Sequence, residues 1–323
     1  MSVFKCHFCA VCDGTGCIAE FPGMGGVKNN ALFQNNCAAW KDGSLLVRAR
    51  ELAEKINRTS TCAVRLGPVT GAVENIGWRD EVSFYHELIS AAFCAGINVT
   101  AGDGCPDIKL QSGIAALNAL PARGETARPA VFIKPYDNAR IFERVEWSLP
   151  AARVIGVDID SYDIVTMRNL VSLEKKTAPQ LREIKARCPV PFAIKGVILD
   201  QDLDLAREVK PDIVVVSNHG GRVDRGSAES SLGFLVRNFD ALRNSCGELW
   251  IDGGIRTRAD VETAQALGVR EVMCARPFIS ALCKGGADAV KKAALEFASH
   301  GVVSCRSNSE LKAPNSDKTL GNR

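Results

Sequence analysis

The run Val214-Val-Val-Ser-Asn-His-Gly-Gly-Arg222 passes from three β-branched residues directly into polar side chains and paired glycines. A short, continuous apolar run bounded by turn residues reads as a strand buried on both faces, as in a parallel sheet. Pro211 blocks any helix from continuing into it, and stretches of helical period lie on either side, Leu203–Val209 before and Leu232–Arg243 after. The unit is therefore helix, strand, polar strand end, helix.

The same unit recurs along the chain. Strands are expected near Cys62–Leu66, Ile97–Ala101, Ala130–Ile133, Val154–Asp158, Phe192–Lys195, Ile213–Val216, Leu249–Asp252 and Val272–Ala275. Helices are expected at Val82–Ala95, Ile108–Asn118, Asn138–Ser148, Ala178–Arg187, Leu203–Val209, Leu232–Arg243, Ala259–Leu267 and Ala287–Ser299, with Thr257 and Asp260 as a capping pair and Gly268 at a helix end. Eight repeats of strand and helix fit a (β/α)8 TIM barrel, and polar residues concentrated at strand carboxyl ends favour it over an open doubly wound sheet. Residues 46–303 would form the barrel. Residues 1–45, rich in Cys, Gly and Asn, would form a lid or metal-binding segment, and residues 304–323 a polar tail.

Composition narrows the function. A net charge of +3 over 323 residues, with no dense Lys/Arg stripe, argues against nucleic-acid binding. Apolar runs such as Ile213–Val216 are far shorter than the roughly 20 residues that span a bilayer. The start MSVFKCHFCAVCDG has none of the features of a secretory signal, so a cytoplasmic protein with reduced thiols is expected despite thirteen cysteines.

Three clusters at strand ends carry chemistry. In the opening motif, Gly220 and Gly221 permit a tight turn that brings Arg222 back toward Ser217 and His219, joining a base that works near neutral pH to a planar fork for a carboxylate. Leu249-Trp-Ile-Asp252-Gly253-Gly254-Ile255-Arg256, followed by Ala275-Arg276-Pro277, places glycines and arginines after the seventh and eighth strands, where barrels bind phosphate. In Pro191-Phe-Ala-Ile-Lys195-Gly196 a lysine closes the fifth strand, and a buried lysine needs an anion, whether bound ligand or barrel carboxylate.

Taken in order, FAIKGV, VVVSNHGGR, WIDGGIR and ARPF resemble the strand-end motifs of the FMN-dependent 2-hydroxy-acid dehydrogenases and oxidases, tightly over Pro191–Phe278 and loosely upstream. The resemblance implies an oxidoreductase acting on a small 2-hydroxy acid or related alcohol, with FMN as two-electron acceptor. It implies His219 as base, Arg222 as holder of the substrate carboxylate, and Asp160 orienting His219. Lys195 would sit beside the flavin, Ser217 would contact its ring, and Asp252, Gly253, Gly254, Arg256 and Arg276 would bind ribityl and phosphate. Lys134 and Asp158 map to the cofactor and Tyr136 to the substrate. The sequence departs from the family in having Ala275 before the last Arg-Pro, no arginine after the fourth strand until Arg168, and acidic Asp103 after the second strand.

Cys6, Cys9, Cys12 and Cys17, spaced C-x2-C-x2-C-x4-C, form a candidate iron–sulfur or zinc site, with free thiols as the alternative. Three other readings of the chain stay open at this point. One is an FMN-dependent isomerase resembling type 2 isopentenyl diphosphate isomerase. The others are a barrel that binds a phosphorylated substrate without flavin and a non-catalytic metal-binding barrel. The electron acceptor is unassigned, and a homo-oligomer is expected only by analogy.

Overall fold

The computed structural model describes residues 31–56, 61–121, 127–164, 170–223 and 225–297. Eight parallel strands form its centre: β1 (Ala63–Leu66), β2 (Thr100–Gly102), β3 (Ala130–Ile133), β4 (Val154–Asp158), β5 (Phe192–Val197), β6 (Ile213–Val216), β7 (Glu248–Asp252) and β8 (Glu271–Cys274). From β2 to β8 each strand pairs with the next, and β8 pairs with β1 through Leu66↔Cys274. Asn98, just before β2, closes the remaining seam by bridging to Arg65, with Asn98 N–H donating to Val64 O at 3.0 Å. The ring is a closed (β/α)8 barrel.

The helices are α1 (Ala31–Ala39), α2 (Gly43–Ala53), α3 (Ala72–Ile76), α4 (Glu81–Cys94), α5 (Ile108–Asn118), α6 (Asn138–Ser148), α7 (Ala178–Arg187), α8 (Asp200–Val209), α9 (Ser231–Arg237), α10 (Phe239–Arg243), α11 (Arg258–Ala266) and α12 (Arg276–Glu296). The Thr257/Asp260 capping box forms, with Asp260 Oδ2 accepting the N–H groups of Arg256 and Thr257, both at 2.8 Å. Where helix limits depart from expectation, the cause is local. Asp202 accepts the Ile198 and Leu199 N–H groups, so α8 starts at an acidic turn ahead of its first leucine. Asn238 divides the helix expected at Leu232–Arg243. The last helix begins at Arg276 and kinks at Gly285 and Gly286. α2 runs across the boundary expected at residue 45 and packs against α9 and α11.

Strand alternation divides the barrel wall into two faces. Ala130, Phe132, Val154, Ala193, Ile213, Val215, Trp250 and Met273 form a separate cluster, the packed interior, while the remaining apolar residues join the large layer between strands and helices. Gly156 is required in that interior, because a Cβ there would come within 2.5 Å of the Phe132 ring. Continuing the inward set by one step puts Lys134, Asp158, Lys195, Ser217 and Asp252 together at the carboxyl end. No helix among the described residues is long and apolar enough to cross a membrane.

Candidate active site

A cavity of about 260 Å³ opens at the carboxyl ends of the strands, lined among others by Lys134, Asp158, Lys195, His219, Arg222 and Asp252. Its base is an ionic lattice. Lys134 Nζ donates to Asp158 Oδ2 at 2.8 Å, and Lys195 Nζ lies 3.3 Å from Asp158 Oδ1 and 3.5 Å from Asp252 Oδ2. Ser217 Oγ donates to Asp252 Oδ2 at 2.7 Å and accepts the His219 N–H at 3.0 Å.

Burial alone would raise the Asp158 carboxyl, but Lys134, Lys195 and His219 outweigh it and hold it below the usual carboxylate range. Burial would likewise favour neutral Lys195, yet Asp158, Asp252 and Asp160 keep it charged well past the ordinary lysine range. Asp158 is therefore the anionic hub between two ammonium groups.

His219 takes its position from a strained turn. Its φ is +58°, followed by Gly220 at +62° and Gly221 at +84°, and the turn is closed by Gly221 N–H donating to Asn218 Oδ1 at 3.0 Å. Both Asp160 oxygens lie 3.0 Å from His219 Nδ1. A carboxylate only accepts, so the ring proton sits on Nδ1 and the lone pair is on Nε2, where Lys134 Nζ approaches at 3.2 Å. Asp160 reaches this place because Gly196, at φ +100° in a register shift of β5, leaves room; a Cβ there would be 2.4 Å from the carboxylate.

Helix α1 covers the rim. Asn36 is fully buried and exchanges amide hydrogen bonds with Asn218, at 2.7 and 3.2 Å, while accepting the Ser231 N–H at 3.0 Å. Gly253 and Gly254, expected only as phosphate ligands, line the cavity and also make room for α1: a Cβ on Gly254 would lie 2.2 Å from Asn36 O. Arg276 spans the same junction, donating to Gly220 O at 3.2 Å with its guanidinium 4.0 Å from the Phe33 ring centroid. Arg256 is the next cation along the cavity wall.

The remaining positions separate. Tyr136 is fully buried between the guanidinium groups of Arg140 and Arg144, 4.3 and 4.4 Å from its ring centroid, and is not part of the cavity wall. Its aromatic ring packs against both guanidinium groups. Ser217 and Asp160 are not among the lining residues and hydrogen-bond Asp252 and His219, which are. Asp103 is neutralised in place by Arg144, 3.1 Å away and equally buried. Arg168 and Cys6, Cys9, Cys12 and Cys17 lie outside the described residues. Among the described residues the one cluster with metal-ligand spacing is Asp158, Asp160 and His219, and Lys134 and Lys195 already contribute the cations there. Sequence reading missed Asn36 and Asn218. Asn218 lies inside the decisive motif, but nothing local marks Asn36, 182 positions away.

Residues 139–300 match the model of the FMN-dependent dehydrogenase family. The 2-hydroxyacid oxidase 2 of Rattus norvegicus is 38% identical over 104 residues, 32% of this chain and 29% of the relative. The 4-hydroxymandelate oxidase of Amycolatopsis orientalis is 35% identical over 118 residues, 36% and 32% of the two chains. These matches span about a third of the curated relatives' length. A mandelate oxidase variant carrying a C4a-hydroxy-FMN adduct superposes with a TM-score of 0.55 at 23% identity, over 78% of this chain and 83% of the other, which is a likeness of fold.

Proposed function

We propose, from the premise that this chain belongs to the FMN-dependent dehydrogenase family, that it binds FMN in the carboxyl-end cavity and oxidises a small 2-hydroxy acid. The observation that carries the reading is the His219–Asp160 pair, which presents an Nε2 lone pair beside Lys134 at the cavity wall. The residues fit the cofactor. Asp252 Oδ1 is a buried acceptor with no hydrogen-bond partner at the wall, suited to a ribityl hydroxyl, and Arg256 and Arg276 offer cations for a phosphate. Lys195 would stand by the electron-rich edge of the ring system. When bound, FMN would supply the two-electron acceptor.

In this reading Arg222 holds the substrate carboxylate and His219 Nε2 takes the hydroxyl proton. Asp160 keeps Nδ1 protonated and stabilises the imidazolium that results, the same orienting role a carboxylate plays in a catalytic triad. Asp158, fixed between two lysines, keeps the wall next to Nε2 polar and ordered.

Matches to a 4-hydroxymandelate oxidase and to an L-lactate oxidase of Nostoc favour 2-hydroxy acids over the isomerase and flavin-free readings. A metal on the four N-terminal cysteines, an unassigned electron acceptor, a homo-oligomer and a cytoplasmic location complete the proposal.

The test is an absorbance spectrum of protein purified without oxygen, then anaerobic addition of L-lactate or (S)-mandelate. Flavin bands that bleach with substrate are expected, with bleaching slowed by about 100-fold or more in His219→Gln while flavin stays bound. Protein that takes up no FMN, or bleaching by His219→Gln at the wild-type rate, overturns the reading. Additional broad absorption together with bound iron would support a cluster, and its absence from metal analysis would remove it.

A further inference from the structure

We infer that Lys134 is a catalytic residue whose ammonium group holds the substrate's C2 oxygen while that oxygen loses its proton and becomes a carbonyl. The inference rests on the oxidase reading above and goes beyond it, because the resemblance assigns Lys134 only to the cofactor.

The argument is geometric. An oxygen that gives its proton to His219 Nε2 must come within hydrogen-bond distance of that nitrogen, roughly 2.6–3.2 Å. Lys134 Nζ lies 3.2 Å from the same nitrogen and points a donor at its single lone pair, so an oxygen that takes that place moves the ammonium aside and becomes its neighbour. Lys134 has donors to spare: of its three N–H bonds one goes to Asp158 Oδ2, and the one now turned to His219 is released once Nε2 takes a proton.

The amine is held for the task. Its side chain is 5% exposed, its backbone N–H donates to Asp103 Oδ2 at 3.1 Å, and Asp158 fixes its head. A buried, oriented cation aimed at an atom that gains negative charge in the transition state stabilises that state without reorganising.

The balance of the step is as follows. The O–H bond breaks and its proton goes to His219 Nε2. The C2–H bond breaks and its hydrogen would leave together with the bonding pair, as hydride, to the two-electron acceptor that bound FMN would supply. The C2–O bond becomes a carbonyl, and Lys134 donates a hydrogen bond throughout without giving up a proton. A lysine at this position makes the site prefer ligands with an oxygen at C2 over those without one.

The experiment uses the FMN-loaded protein and compares wild type with Lys134→Met and Lys134→Gln, the second retaining a donor toward Asp158 if the first fails to fold. Two quantities are measured: the rate of flavin bleaching by (S)-mandelate and L-lactate, and the affinity for phenylglyoxylate against phenylacetate, read from the perturbed flavin spectrum. The expected result is retained FMN and bleaching slowed by about 100-fold or more. The wild-type preference for the 2-oxo acid should collapse toward equal binding, while phenylacetate affinity stays within about threefold. Unchanged bleaching, a retained 2-oxo preference, or loss of FMN itself would overturn the role, the last by returning Lys134 to the cofactor. Wild type that binds FMN but is bleached by no 2-hydroxy acid would overturn the oxidase reading and this inference with it. Active wild type with equally active variants would overturn this inference alone.

Discussion

The barrel holds one buried ionic network at each end, and they are built to opposite purposes. At the amino end, Arg65 is fully buried and forms a two-pronged ion pair with Glu271, gives its remaining nitrogen to Val99 O at 2.7 Å and Thr100 Oγ1 at 3.3 Å, and lies 4.6 Å from the Trp250 ring centroid. Arg128 adds a second cation, bridging Glu248 and Glu271 at 3.0 and 3.4 Å. Every strong group there is answered by another on the chain. At the carboxyl end, Asp252 Oδ1 is buried without a hydrogen-bond partner, and a base, three lysines and three arginines face a cavity. Completed charge pairs close a barrel, whereas charges left partly unanswered mark where a ligand belongs.

The contrast is broken most forcefully from the closed end. Arg65→Met strands Glu271 in the core with only the longer contact to Arg128, and a broken buried pair costs about 3–5 kcal/mol. A chemical-denaturation midpoint should fall accordingly, while FMN binding in the surviving folded fraction is unchanged. The double change Arg65→Met with Glu271→Leu removes both charges and should restore most of that stability. If the double variant is as unstable as the single, the pair is not the self-contained plug described.

The carboxyl end was the more legible of the two in sequence, for a physical reason. Strand alternation carries Lys195 and Asp252 inward from apolar runs, and the glycine pairs beside His219 and Asp252 announce sharp turns. Each of the eight strands overlaps a run read from apolar residues and punctuation, although β2 begins at Thr100, three residues beyond the expected Ile97. The amino-end network could not, because Arg65 and Glu271 are separated by 206 positions and look like ordinary surface charges. Tyr136, mapped to the substrate through the family resemblance, carries no local sign of the two arginines that enclose its ring. Helix α1 escaped because its weak periodicity hides that it is held chiefly by Asn36, Phe33 and the Trp40 indole, which donates to Gly253 O at 2.8 Å.

That helix offers a finer cut. Asn36→Ala would remove the partner of the Asn218 amide and leave buried polar groups unpaired, at about 1–3 kcal/mol. Because Asn218 closes the His219 turn, the loss should appear at the open end as slower flavin bleaching, with Asn36→Asp recovering part of it through the Ser231 N–H. Bleaching unchanged in a measurably destabilised Asn36→Ala protein would show that α1 braces the barrel without setting the base.

Asp103 sits between the two regimes, paired with Arg144 yet holding a buried Oδ1 with no hydrogen-bond partner. Burial pushes its carboxyl up to about 6, against the pull of Arg144 and the Lys134 N–H. A folded-state value above the unfolded one means the folded chain binds more protons between about pH 4 and 6, so stability from this group falls as pH rises through that window. Two pH units of displacement correspond to roughly 3 kcal/mol at most. In Asp103→Asn the group no longer titrates, and the decline in unfolding free energy between pH 4 and 6 should flatten by up to that amount. An unchanged slope would mean Arg144 answers Asp103 as fully as Arg65 answers Glu271, placing this carboxylate with the closed network.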